Sequence, residues 1–374
     1  INRDVSSLFL RTENWTPYHK SQINNKLEIT DMLKITEKTK VFVPCPAGAC
    51  TGGAELLHQL VDLLNNNNVD AYIVYYGAGK HSLPSDYRKY NIKFADLIDD
   101  AEDNVAVIHE GCFEQALHIN KAQIMLWWLS VDYYFICNNH SALEMIRYQL
   151  VYPEKYSTRK LLKGILRSFI KPYDTISLGK MRGKNIAVNA YQSEYAKAFL
   201  AKHSYENLHP LKDYINDDNF AYVLDTSGRD NIVIYNPKKG YEFTQKLIAY
   251  DASIKWVPII NMSRSEVLDL MRKAKVYSDF GFHPGKDRLP REAATNGCCI
   301  ITGIHGSANY LDIDIPTKYK HTQTNEDIPV ILKQIHDLLD NYESRISDYE
   351  HYRSNIRKEK QEFVEDAKDI FQIR

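Results

Sequence analysis

The chain has 374 residues, 47 basic against 48 acidic side chains, 44% hydrophobic and 25% charged residues. At roughly 150 residues per domain that is room for two domains, and the composition excludes a disordered, collagenous or coiled-coil chain. A net charge of -1 leaves no global field to draw the protein onto nucleic acid, so no nucleic-acid partner is expected and any basic surface is local.

In chain order, residues 1–40 are polar and read as a lead-in. Val41-Phe42-Val43-Pro44 is a short apolar strand, followed by a Thr51-Gly52-Gly53 loop and a helix in which Leu56, Leu57, Leu60, Val61 and Leu64 share one face. Asp70 to Tyr76, Val105 to Ile108 and Ile124 to Leu129 are further apolar strands, with a helix-compatible stretch from Phe113 to Ile119. Continuous apolar strands alternating with helices predict a parallel sheet covered on both faces.

A second series starts after a polar, turn-like segment at Asp213 to Asn219. Its predicted strands are Ile232 to Tyr235, Trp256 to Ile260, Val276 to Phe280 and Cys299 to Thr302. Its predicted helices are Tyr241 to Ala249, Ser263 to Lys273 with a Ser263/Glu266 capping box, and Glu292 to Asn296. From Pro329 to Arg374 the pattern is helical throughout. The expected division is an N-terminal domain over 1–205, a C-terminal domain over 206–345, and a last helix over 346–374 crossing back.

Between the two series, residues 152–184 carry nine basic and two acidic side chains. Leu161, Leu162, Ile165, Leu166, Phe169 and Ile170 recur there at helical spacing. That is an amphipathic helix with a basic rim, read either as an ordinary surface helix or as a contact to an anionic membrane.

The cysteines Cys45, Cys50, Cys112, Cys137, Cys298 and Cys299 show no C-x-x-C spacing, which points to reduced thiols in a cytoplasmic protein. No apolar run reaches the roughly 20 residues of a membrane span, and no signal-peptide pattern opens the sequence. A cytoplasmic place is expected, with at most peripheral attachment to the inner face of a membrane. The sequence opens at Ile1 without a methionine, so a piece of a longer protein is compatible with it.

Ligands of open parallel sheets bind beyond the carboxyl ends of the strands. Gly52 and Gly53 stand at such a place, where they either make the tight turn or let a phosphate or sugar approach the backbone. Asn236-Pro237-Lys238-Lys239-Gly240 stands at the equivalent place in the second half and brings two ammonium groups suited to a diphosphate. The run His283-Pro284-Gly285-Lys286-Asp287-Arg288-Leu289-Pro290-Arg291-Glu292 concentrates charge after another strand. It reads either as ligand contacts or as a salt-bridge cluster between domains.

These motifs resemble the GT-B glycosyltransferases, and among them the retaining group called family 4, over roughly residues 41 to 310. The resemblance rests on Gly52-Gly53, Lys238-Lys239-Gly240 and Glu292-Ala293-Ala294-Thr295-Asn296-Gly297. It implies two Rossmann-like domains facing a cleft, with the first binding acceptor and the second a nucleotide sugar. By it Lys238 or Lys239 would hold the donor diphosphate and Glu292 would bond the ribose; Asn236 is a further donor-binding candidate, and Lys238, Lys239 and helix dipoles would stabilise the leaving group, with Lys239 counted as catalytic. The family's first glutamate of an E-x7-E pair falls on Pro284. Either His283, Lys286 and Arg288 take over contacts to sugar and phosphate, or the donor differs. Asp132 stands near the place of a family histidine, and His109 and Glu110 are candidates for acceptor binding.

The implied reaction moves a sugar from a nucleotide-sugar donor to a glycan or lipid-linked glycan, as in bacterial surface polysaccharide or lipopolysaccharide synthesis, with retention. No aspartate pair has metal-ligand logic, so neither a metal nor another cofactor is expected. A nucleotide-sugar epimerase on the same scaffold and a non-catalytic binding subunit remain as alternatives.

Overall fold

The computed structural model describes residues 32–78, 82–152, 157–170, 175–184, 186–221 and 224–373. Most of the lead-in, and Glu154, Lys155, Lys171 and Asp174 of the basic stretch, lie outside the described residues.

The first half runs β1 (Lys40–Pro46), α1 (Gly52–Asn66), β2 (Asp70–Tyr76), β3 (Lys93–Phe94), β4 (Val105–His109), β5 (Gln123–Trp128), α2 (Val131–Cys137), α3 (Ala142–Val151), α4 (Thr158–Ile170), α5 (Leu178–Arg182), β6 (Ile186–Tyr191), α6 (Glu194–Lys202) and β7 (Leu208–Pro210). Its seven strands form a parallel sheet in the order β3-β2-β1-β4-β5-β6-β7. Alternation along β4 sends Val105 and Val107 to one face, with α1, and Ala106 and Ile108 to the other, with α2, α3 and α6. Both faces are therefore buried, as continuous apolar strands require.

The second half runs β8 (Asp230–Tyr235), α7 (Tyr241–Tyr250), β9 (Lys255–Pro258), α8 (Arg264–Lys273), β10 (Ala274–Asp279), α9 (Arg288–Thr295), β11 (Cys299–Gly303), β12 (Lys320–His321), α10 (Ile328–Asp340), α11 (Tyr342–Arg345) and α12 (Glu350–Phe371). Its sheet has the order β12-β11-β10-β8-β9. The capping box at Ser263 and Glu266 forms and opens α8. The two halves are two Rossmann-like α/β units, the GT-B arrangement.

Four boundaries are corrected. The first sheet continues past residue 205, because β7 pairs with β6 and Trp127 Nε1 donates to the Leu211 carbonyl at 3.0 Å. The stretch at Phe113 to Ile119 belongs to a 3-10 segment, Glu110–His118. Helix α9 begins four residues before Glu292, at Arg288. The C-terminal region is broken between Asp340 and Glu350, and the last helix starts at Glu350. Phe363, Ala367, Ile370 and Phe371 of α12 are buried in the core of the first sheet, so α12 packs on the N-terminal half.

Candidate functional site

The carboxyl ends of the two sheets border a cleft of about 510 Å³, lined from the first half by Gly52, Gly53, His109, Glu110, Ser130 and Gln192. From the second half come Asn236, Lys239, Asp279, Lys286, Asp287 and Arg288. Two backbone contacts hold the walls together. Val131 N–H donates to the Pro284 carbonyl at 3.1 Å, and Lys286 N–H donates to Gln192 Oε1 at 3.1 Å. A side chain at Gly285 would put its Cβ 2.2 Å from the Leu129 carbonyl oxygen, so only glycine allows this approach.

Two helix N-termini point into the cleft. Thr51 caps α1 by accepting from Ala54 N–H at 3.3 Å, which leaves the first-turn amides of Gly52 and Gly53 for a ligand. Asp287 is the N-cap of α9, yet its carboxylate makes no capping bond. Its Oδ2 instead accepts from Lys239 Nζ at 2.7 Å and from His283 Nδ1 at 2.9 Å. Pro290 brings no N–H to this first turn, so the amides of Arg288 and Leu289 have no side-chain cap.

Three cations sit around these amides. Burial would lower the Lys239 pKa, but the Asp287 carboxylate outweighs it and raises it, so Lys239 stays an ammonium. Lys286 Nζ is 2.8 Å from Glu359 Oε1. Arg288 Nη1 pairs with Glu55 across the cleft, while its Nε and Nη2 are buried and make no hydrogen bond. An unpaired buried donor costs about 1–3 kcal/mol, which an anionic ligand would recover.

On the opposite wall, burial drives the His109 pKa down to about 4, so its imidazole is neutral. Its Nδ1 accepts from Gly111 N–H at 3.1 Å, which leaves the proton on Nε2, donated to Tyr76 OH at 3.1 Å. Burial pushes Glu110 up to about 8 despite backbone donors at Leu129 and Ser130, so its carboxyl is protonated at neutral pH. Its Oε2 accepts from Leu129 N–H at 2.8 Å.

Four expected site residues are placed away from the cleft wall. Lys238 is exposed, with its amide bonded to Asn236 Oδ1. Asp132 is buried in the first turn of α2 and does not line the cleft. His283 is fully buried behind Asp287. Burial lowers its pKa, but Asp279 and Asp287 raise it overall, and its Nδ1 holds Asp287 from behind. Glu292 turns towards α8, where Oε2 is 2.7 Å from Arg264 Nη1.

Reading the sequence missed Glu55, Asp213, Gln192 and Glu359. Arg291, on α9, joins the segments that carry two of them, Asp213 and Glu359. Its Nη2 donates to both Asp213 oxygens at 2.8 Å and its Nη1 to Glu359 Oε2 at 2.7 Å. The charged run thus splits between the two readings given it. Arg291 is an inter-element salt bridge, whereas Lys286, Asp287 and Arg288 also face the cleft.

No protein-family model matches the sequence, and no curated protein matches it. Solved structures match in fold. Sucrose-phosphate synthase from Thermosynechococcus elongatus aligns at a TM-score of 0.60 and 9% identity, over 90% of this chain and 98% of that one. HepE from Anabaena, solved with UDP-glucose, aligns at 0.54 and 10%, over 89% and 97%. WaaG, a glycosyltransferase involved in lipopolysaccharide biosynthesis, aligns at 0.52 and 11%, over 89% and 99%. Two further matches have TM-scores of 0.49 and 0.46, and the chain spans 56% of their length. The three likenesses with TM-scores above 0.5 establish the fold.

Proposed function

We propose that this protein transfers a sugar from a nucleotide-sugar donor to a glycan hydroxyl. The observation that carries the reading is Arg288, a cleft-lining guanidinium whose Nε and Nη2 make no hydrogen bond, Nε lying 3.7 Å from Asp213 Oδ2, between the amide-bearing starts of α1 and α9 and beside Lys239. Two helix N-termini and two cations around one space suit a diphosphate.

In the transfer the bond from the anomeric carbon to the diphosphate oxygen breaks, and its electron pair leaves with the diphosphate. The bond from the acceptor oxygen to the anomeric carbon forms, and the hydroxyl proton is released. Charge grows on the leaving oxygens, and Lys239, Arg288 and the uncapped amides are fixed in advance to meet it. That division of labour needs no metal, and metal independence is part of the proposal. Retention, and membership of family 4, follow from the resemblance in motifs. His109 and Glu110, on the N-terminal wall, would meet the acceptor. We place the acceptor among cell-surface glycans, a reading supported by the likeness to WaaG, which is involved in lipopolysaccharide biosynthesis.

Calorimetric titration with UDP, GDP, ADP, dTDP and CMP tests the reading on the wild type and on Arg288→Ala. Binding of one nucleotide, weakened at least tenfold in the variant, is the expected result. If none binds, the cleft is not a donor site and a non-catalytic binding protein takes first place. Conversion of donor to an epimer without acceptor would indicate an epimerase.

A further inference from the structure

Beyond the cleft, one feature that the proposed transfer leaves unused is the region of α2, α3 and α4. Ile136, Asn139 and His140 at the end of α2 and after it face Lys160, Lys163 and Arg167 of α4 across a groove of about 500 Å³. Arg159 is a fourth cation on its wall, and among the described residues no carboxylate lines it. Among the described residues none of these four cations has an ion-pair partner. Lys160 is the most enclosed. Its Nζ donates to the Ile136 carbonyl at 3.1 Å, and burial lowers its pKa.

The helices beside the groove carry an apolar surface that the fold does not cover. On α4, Leu166 and Phe169 are 67% and 75% exposed, and on α3, Leu143 and Leu150 are 77% and 79% exposed. Ser168 is the one buried residue described on α4, and Gly164 lets α4 lie against Met145, whose Cε would be 2.3 Å from a Cβ there. At 3.6 residues per turn, α4 therefore shows three faces. Gly164 and Ser168 pack inward, Leu162, Leu166 and Phe169 look out, and Lys160, Lys163 and Arg167 flank them. A soluble surface rarely places so many large apolar side chains together without a partner, and cations bordering them fit an anionic bilayer.

The groove also adjoins the cleft. Cys137 lines both, and Ser130 and Tyr133 at the start of α2 line the cleft. Helix α2 has seven residues, and at 1.5 Å per residue the two sites stand about 10 Å apart. A phosphate in the groove would thus leave a sugar attached to it within reach of the donor.

We propose that this groove seats the phosphate of a lipid-borne acceptor at an anionic membrane, with the apolar flanks of α3 and α4 entering the bilayer beside it. The proposal rests on the transferase reading for the word acceptor, while the lipid contact stands on the groove and helices alone.

The test is sedimentation of the protein with phosphatidylcholine vesicles, with and without phosphatidylglycerol, in low and high salt. Wild type should bind the anionic vesicles, weakly the neutral ones, and less as salt rises. Lys163→Ala/Arg167→Ala should bind roughly thirtyfold more weakly, and Leu166→Asp/Phe169→Asp should lose binding even in low salt, both with wild-type circular dichroism and melting. Monomeric dihexanoyl phosphatidic acid should compete with the vesicles where equimolar inorganic phosphate does not. Equal binding of all proteins, no binding by wild type, or a concentration-dependent dimer that the apolar variant abolishes would overturn the proposal, the last by assigning the face to a second copy. Vesicle binding without any nucleotide binding would instead remove the transferase reading and leave the lipid contact.

Discussion

Arg291 Nη2 lies 2.8 Å from both carboxylate oxygens of Asp213, a charge pair in which the guanidinium has 0% solvent exposure. It ties the connector after β7 to the helix that opens on the cleft. Removing one partner of a buried pair strands the other, at about 3–5 kcal/mol. Arg291→Met should therefore lower stability in urea by that order, since Asp213 is left with only Arg288 at 3.7 Å and Glu359 with only Lys286. A loss under about 1 kcal/mol would mean that water reaches the two carboxylates.

Neighbouring lysines should separate. Lys239→Ala removes the cation beside the proposed diphosphate and frees Asp287, a like charge, so nucleotide affinity should fall ten- to a hundredfold, the worth of one charged hydrogen bond. Lys238→Ala, in an exposed side chain, should stay within about twofold. Calorimetry reads both, and equal effects would show that the loop rearranges on binding.

Glu292→Gln should leave nucleotide affinity within about twofold and lower the melting temperature, because its carboxylate pairs with Arg264 on α8. A tenfold loss of affinity with unchanged melting would mean that nucleotide displaces Arg264 and takes Glu292 for itself.

Glu110 gives a pH signature. Its folded pKa of about 8 stands above the ordinary 4.5, so the folded state holds a proton that the unfolded chain releases. The stability this contributes is complete below pH 4.5 and is lost as pH rises to about 8, at up to roughly 1.4 kcal/mol per unit. Glu110→Gln removes that slope. Melts of both proteins across this range should show the variant gaining on the wild type as pH rises, and parallel curves would place the carboxyl in a more solvated setting.

Gly240 stands at φ 62°, and a Cβ there would lie 2.2 Å from the Phe280 carbonyl oxygen. Gly240→Ala should cost more than the roughly 1 kcal/mol of a left-handed alanine, and by shifting the loop it should also weaken nucleotide binding. Chemical denaturation with calorimetry would find the two effects together.

Most of the scaffold was legible because it is written locally. β1, β4 and β5 are unbroken apolar runs, and the Ser263 box marked the start of α8. β6 escaped because Asn189 interrupts its run, β3 and β12 because two residues carry no period. Pro290 hid the first turn of α9. Lys239 and Arg288 were found by their position after strands, but the partners that fix them were not. Glu55 is 233 residues from Arg288 and Asp213 is 78 from Arg291, and no spacing rule reaches so far. The same distance explains His283 and Glu292, whose residue types fitted a ligand but whose side chains were claimed by Asp287 and Arg264.

Because Glu359 on α12 supplies an anion to both Lys286 and Arg291, the second half leaves the ribosome with Arg291 paired to Asp213 alone and a cleft lysine still short of its counter-charge. Each half has its own sheet and can collapse as it is made, but the wall between them is completed only when α12 has emerged and laid Phe363 and Phe371 on the first sheet. Newly synthesised chains therefore pass through an interval in which both sheets exist and the two ion pairs to Glu359 do not. In that interval the groove and apolar flank of α4 are already present, so contact with a lipid surface would precede the pairing that fixes Lys286.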